Sequence, residues 1–97
     1  MAIEVRIPTI LRTYTNGEKS VEATGATLSD LIEDLEANHP GLKDRLLEEK
    51  DGKTDLRRFV NLYVNDEDVR FTGGLGTDLN DGDQVVVLPA VAGGSPA

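Results

Sequence analysis

AIEVRIPTILRTYTNGEKSVEATGATLSDLIEDLEANHPG, residues 2–41, decides the architecture. Ile3, Val5 and Ile7 alternate with Glu4 and Arg6, the period of a strand with one buried face. Pro8 falls at the strand's end, where a missing N–H does least harm. Asn16-Gly17 tolerates positive φ at both positions and predicts a hairpin, with Glu18–Ala23 as the return strand and room for a loop wider than two residues. Thr27 then offers a hydroxyl N-cap, with Asp30 three positions on. Leu28, Leu31, Ile32 and Leu35 recur at i, i+3, i+4 and i+7, one apolar stripe on an otherwise acidic helix. Asn38-His39-Pro40-Gly41 stops it.

Outward from this unit the pattern continues in strands. Leu42, Leu46 and Leu47 predict a short second helical piece, and the polar stretch Glu48–Asp55, with Gly52, a mobile loop. Phe59–Val64 is the clearest later strand, with Val60, Leu62 and Val64 on one face and Phe59, Asn61 and Tyr63 on the other. Asn65-Asp66 turns the chain, Val69 and Phe71 suggest a short strand, and Gly73-Gly74 with Gly76 a loop. Asp81-Gly82 turns into Asp83–Val91, rich in β-branched residues and read as a strand. Strand, strand, helix, strand, short strand, strand predicts an α+β fold: a mixed sheet of four to five strands with one main helix packed on one face. A β-grasp arrangement fits that order. Residues 1–91 form the predicted domain and 92–97 a flexible C-terminal tail.

Composition narrows the chemistry. At 97 residues there is room for one domain, and with 4% aromatics its core must be aliphatic. Eighteen acids against ten bases leave a net charge of −8, which repels nucleic-acid backbones and anionic membranes and attracts basic protein surfaces. No cysteine means no disulfide, no thiolate catalysis and no cysteine-based metal site. No run approaches the ~20 apolar residues of a membrane span. The N-terminus has no signal-peptide pattern, so the expected compartment is the cytoplasm. No resident metal or cofactor and a monomeric free state are expected.

Catalytic signatures are sparse. His39, the only histidine, lies beside Pro40 and reads as a capping or surface residue. Gly73–Thr77 lacks the Gly-Lys-Ser/Thr ending of a phosphate loop. Asp78–Asp83 resembles a calcium loop, but its glycine falls one position early and no glutamate closes the shell. Asp30, Glu33, Asp34 and Glu36 read as a solvated helix face, with an acidic docking face as the rival reading.

The informative feature is the end. A strand running to Val91 is followed by Ala92-Gly93-Gly94-Ser95-Pro96-Ala97. Either this is a frayed terminus or a tail built to enter another protein's active site. Two residues without Cβ let a narrow channel close on their backbone, and three extended residues reach about 10 Å beyond the domain. With no nucleophilic side chain in the tail's glycines, the group to be delivered is the carboxylate.

The ending DGDQVVVLPAVAGG (81–94), with IPTILR (7–12), DLEAN (34–38) and RFVNLYVNDEDVR (58–70), resembles the ubiquitin-like sulfur carriers of molybdopterin, thiamine and cysteine synthesis, the MoaD/ThiS group, and in particular the CysO-type carriers of actinobacterial cysteine biosynthesis. The resemblance spans residues 2–94. It implies that the chain is a co-substrate and not an enzyme. A ubiquitin-activating-like adenylyltransferase/sulfurtransferase adenylates Gly94, and sulfur displaces AMP to leave a thiocarboxylate. A pyridoxal-phosphate (PLP)-dependent cysteine synthase accepts the sulfur, and a zinc metalloprotease of JAMM type releases the product. ATP, zinc and pyridoxal phosphate thus belong to partners. Ala92, Gly93 and Gly94 are the residues implied to enter partner sites. The family's mature chain ends at the second glycine, so Ser95-Pro96-Ala97 (95–97) is a cleavable extension, with Gly94-Ser95 as the processing site. Carriage of sulfur to thiamine, molybdopterin or a secondary metabolite, and conjugation through Gly94 as a ubiquitin-like modifier, stand as alternatives, as does an interaction domain whose tail is never activated.

Alternation also predicts a partner-binding surface. If Val85, Val87 and Pro89 face the helix, Val86 and Leu88 face outward, with Phe59 and Tyr63 on the same outer face. Packing under a loop is the competing reading. Leu88 is the first choice because the molybdopterin carriers place an exposed apolar contact residue just before the tail's proline.

Overall fold

A computed structural model describes residues 2–57 and 60–89. Strands β1 (Ile3–Arg6), β2 (Ser20–Ala23), β5 (Val60–Val64), β6 (Glu67–Asp68) and β7 (Gln84–Pro89) form a five-stranded sheet in the order β2-β1-β7-β5-β6. β1 pairs antiparallel with β2 but parallel with β7, and β5 runs antiparallel to both β7 and β6. Helix α1 (Leu28–Asn38) supplies the crossover between the two halves and lies on one face. This is the β-grasp, ubiquitin-like fold. β7 lies at the centre of the sheet; its first half pairs with both β1 and β5, whereas Val87–Pro89 pair with β5 alone.

The alternation read from sequence is what positions the core. Ile3 and Val5, Val21 and Ala23, Val60, Leu62 and Val64, and Val85 and Val87 are all buried, facing Leu28, Leu31, Ile32 and Leu35 of α1. Each Val, Leu or Ile among them contributes roughly 1.5–3 kcal/mol on burial. Thr27 caps α1 by accepting the Asp30 N–H at 3.3 Å. The chain reaches that cap through Gly25, where a Cβ would stand 2.5 Å from the Leu31 nitrogen. Only glycine permits that approach.

Several connections differ from the sequence expectation. The β1–β2 loop is a 3-10 helix, Thr9–Thr15, and β2 begins at Ser20, not Glu18. Buried Thr15 holds it by donating to the Arg12 and Glu18 carbonyls. The second helical piece, α2 (Leu42–Leu46), ends one residue early because Leu47 opens a strand. Glu48–Asp55, read as a mobile loop, is instead part of a two-stranded ribbon, β3 (Leu47–Lys50) with β4 (Lys53–Leu56). Asp51 and Gly52, at φ 56° and 78°, make its turn. Val69 and Phe71 are in a 3-10 turn and not a strand, because the Asp68 carboxylate accepts the Arg70 N–H at 2.9 Å and caps it. Gly74–Gly76 is likewise 3-10. The last strand is described over Gln84–Pro89; the expectation for Ala90 and Val91 lies outside the described residues.

Candidate functional site

β7 carries two of the residues expected on the partner-binding surface, Val86 and Leu88. Val85 and Val87 point into the core, so Val86 and Leu88 point to the opposite face of the sheet. Val86 is half-buried and Leu88 is 47% exposed. The register places Tyr63 opposite Val86 and Asn61 opposite Leu88 on one side, and Arg6 beside Val86 on the other. Val86, Leu88 and Tyr63 therefore share one face, as alternation predicts. Phe59, Ala92, Gly93, Gly94 and Ser95 lie outside the described residues.

Val60 stands opposite Pro89. Its N–H bonds the Arg57 carbonyl at 3.1 Å and its own carbonyl accepts from Arg70 at 2.7 Å. Both polar groups thus point away from β7, at a rung whose cross-strand bonds are not required. Proline, with no N–H to give, fits there without breaking the ladder.

Among the described residues three large apolar side chains are exposed: Ile10 at 67%, Phe71 at 89% and Leu88 at 47%. All three belong to the same end of the sheet. Ile10 follows β1, which is parallel to β7, and Phe71 adjoins Arg70, which bonds the Val60 carbonyl opposite Pro89.

Beside Leu88 lies an open groove of about 420 Å³, lined by Arg6, Arg12 and Lys19 together with Pro8 and Val86. Arg12 is oriented by donating Nε–H to the Ile7 carbonyl at 3.2 Å. Glu4, the acid in the lining, accepts from Gln84 Nε2 at 2.8 Å. Net charge points to an acidic molecule meeting basic partners; locally, the groove beside Leu88 carries three cations against one acid. These three residues come from the strand, the 3-10 segment and the hairpin return. The Arg6–Val86 parallel register and the Ile7 N–H to Lys19 carbonyl bond, neither visible in the sequence, bring them beside Leu88.

The other motifs are structural. His39 is half-buried at the C-cap of α1, its backbone N–H bonding the Leu35 carbonyl at 2.7 Å. In Gly73–Thr77 the Thr77 hydroxyl donates to the Gly74 carbonyl at 2.7 Å and pairs with Thr72, closing the loop on itself. Asp81 accepts the Ala2 N–H, and Asp83 accepts from Asn65 and from the Asn80 N–H, so these carboxylates tie turns together. Among the described residues no three potential ligands gather to hold a metal ion. The acids of α1 are only partly a solvated face: Asp34 accepts the Thr24 N–H, Glu36 accepts the N–H groups of Gly41 and Lys43, and Glu33 pairs with the Lys43 ammonium. The Glu33 hydrogen bond raises the Lys43 pKa above its ordinary 10.5. Among the described residues no helix is long and apolar enough to cross a membrane.

A mixed five-stranded sheet with β7 at its centre and α1 packed on one face defines a ubiquitin-like β-grasp domain. Residues 5–94 match the ThiS family. The chain belongs to that family, the MoaD/ThiS group of sulfur carriers. It is 60% identical over 95 residues to the sulfur carrier protein CysO of Mycobacterium tuberculosis, covering 97% of this chain and all of that one. The CysO chain in the crystal structure of the Amycolatopsis orientalis BexX/CysO complex superposes with a TM-score of 0.87 at 59% identity, over 96% of this chain and 100% of that one. Small archaeal modifier protein 3 of Haloferax volcanii is 38% identical over 97 residues, covering 97% of this chain and all of that protein.

Proposed function

We propose that the protein is a cytoplasmic sulfur carrier whose reactive atom is the carboxyl carbon of Gly94. The supporting observation is where the family match ends: it runs to residue 94 and leaves Ser95, Pro96 and Ala97 beyond it. In this reading domain 1–91 presents a tail, 92–97, whose last three residues a protease of JAMM type removes. A ubiquitin-activating-like enzyme then joins the freed carboxylate to AMP, expelling pyrophosphate. Sulfur displaces AMP, leaving a Gly94 thiocarboxylate. A pyridoxal-phosphate-dependent cysteine synthase takes up that sulfur; likeness to CysO favours cysteine biosynthesis as the acceptor. ATP, zinc and pyridoxal phosphate are bound by the partners. Leu88, Val86, Tyr63 and Phe59 are the docking surface in this scheme.

The test is intact mass from the native source and after incubation with the cognate protease and activating enzyme. Loss of Ser-Pro-Ala followed by the increase of one oxygen-for-sulfur exchange is expected. A chain that acquires sulfur with residues 95–97 still attached refutes the order of steps. The likeness to a small archaeal modifier protein favours a second reading, amide formation between Gly94 and lysines of other proteins. Higher-mass conjugates bearing the Gly94 end distinguish it.

A further inference from the structure

One side chain braces the place where the tail begins. Arg70 Nη1 donates to Asn61 Oδ1 at 2.7 Å, while Nη2 donates to the Val60 carbonyl at 2.7 Å and the Arg57 carbonyl at 3.1 Å. β6 ends at Asp68, opposite Tyr63, so it does not extend alongside Val60 and Asn61. Those two residues are the partners of Pro89 and Leu88, the last rungs before the tail. An outer strand end without a neighbour is where a ladder frays first. The guanidinium stands in for the missing strand there, donating to two backbone carbonyls and a side-chain amide at once.

We infer that Arg70 is a positioning residue for tail delivery: by fixing Val60 and Asn61 it holds Leu88 and Pro89, their partners and the last described residues before the tail, in one geometry. The inference rests on the reading that Gly94 is the reacting end. A carboxylate presented in a narrow cone meets the attacked phosphorus more often than one presented over a wide one, which is an orientation effect on turnover. Docking at Leu88, by contrast, governs the concentration needed to saturate. Arginine is specified because three acceptors in two directions require a planar fork; one ammonium centre does not span them in the same way.

The experiment uses the chain ending at Gly94 and its activating enzyme, with ATP–pyrophosphate exchange as readout. Arg70→Ala and Arg70→Lys should each lower kcat at saturating carrier by about tenfold, and Asn61→Ala, which removes one of the three acceptors, by a smaller factor of about threefold. Native-state amide exchange should quicken at Asn61 and Leu88 while Leu31 and Ile32 stay protected, which separates the local effect from unfolding. An unchanged kcat with a raised KM would assign Arg70 to docking and overturn the inference, as would full rescue by lysine. Absence of exchange with the wild-type chain overturns the Gly94 reading itself; wild-type turnover matched by the Arg70 variants overturns only this one.

Discussion

Leu88 faces Asn61 across the β5–β7 ladder, and it does so on the side of the sheet away from α1. Its neighbours along the strand, Val87 and Val85, are almost wholly buried, so the strand is anchored by alternate residues and Leu88 is left for another surface. Leu88→Asp should therefore leave the thermal midpoint nearly unchanged, within the roughly 0.5 kcal/mol typical of exposed substitutions. It should weaken binding to the activating enzyme by about tenfold or more, since a carboxylate would be desolvated in an apolar contact. Calorimetric titration of the two proteins measures this, and equal affinities would remove Leu88 from the docking surface.

The cationic groove beside it makes a separate prediction. Arg6 and Lys19 are exposed rim charges, whose usual effect is on association rate. Arg6→Glu with Lys19→Glu should slow association with the activating enzyme severalfold at low salt. The deficit should shrink as ionic strength rises toward about 0.5 M, because screening erases exposed charge effects. Stopped-flow association across a salt series is the measurement. A deficit that persists undiminished at high salt would point to lost packing in place of lost charge.

Gly25 is a packing requirement. A methyl there would lie 2.5 Å from the Leu31 nitrogen and 2.9 Å from the Asp30 carbonyl carbon, both backbone atoms that cannot swing aside. Gly25→Ala should cost about 1–3 kcal/mol by pushing the loop off the start of α1. Urea unfolding gives the number, and a stability equal to wild type would mean that the loop relaxes freely.

Lys43 yields a pH prediction. Its pKa is raised, first by the hydrogen bond it donates to the Glu33 carboxylate, so the folded chain holds that proton more tightly than the unfolded one. The associated stability is complete below the unfolded pKa near 10.5 and is lost as pH rises through the higher folded value. Between neutrality and about pH 9 the pair should add no pH dependence. Above that the wild type should lose stability more steeply than Lys43→Met. Thermal melts from about pH 9 to about pH 11 compare the slopes, and parallel slopes would show that the pair does not form in solution.

How much of this was legible follows from what each segment buries. β1, α1 and β5 bury one face each, and the alternation Ile3/Val5 or the stripe Leu28/Leu31/Ile32/Leu35 announces it. The ribbon β3–β4 buries little: LEEK and KTDL have no apolar alternation, and Asp51-Gly52 was the only hairpin signal in a stretch that composition assigns to loop. Val69 is buried like a strand residue, yet the Asp68 cap bends its backbone into a 3-10 turn, a local hydrogen bond overriding an apolar pattern. The outward placement of Val86 and Leu88 was readable from period alone. The cationic groove and the Arg70 brace were not, because each joins residues distant in sequence through the parallel β1–β7 register or the β5–β6 hairpin.

The buried side chains among the described residues all lie between Ile3 and Val87. In the proposed reading the reacting carboxyl belongs to Gly94, outside that span, and one substitution tests whether the activating enzyme reads that residue. Gly94→Ala in the chain ending at residue 94 adds one methyl beside the carboxylate. It leaves the core untouched, so the urea midpoint should match wild type. In an active site that closes around a backbone without Cβ, that methyl obstructs the approach of the carboxylate to ATP. Adenylation kcat/KM should fall about a hundredfold, a loss of about 2.7 kcal/mol of transition-state stabilisation. Pyrophosphate-exchange kinetics on the two chains decide it. Equal rates would mean that the enzyme does not read the second glycine, and the tail would then be delivered by its length and its docking surface alone.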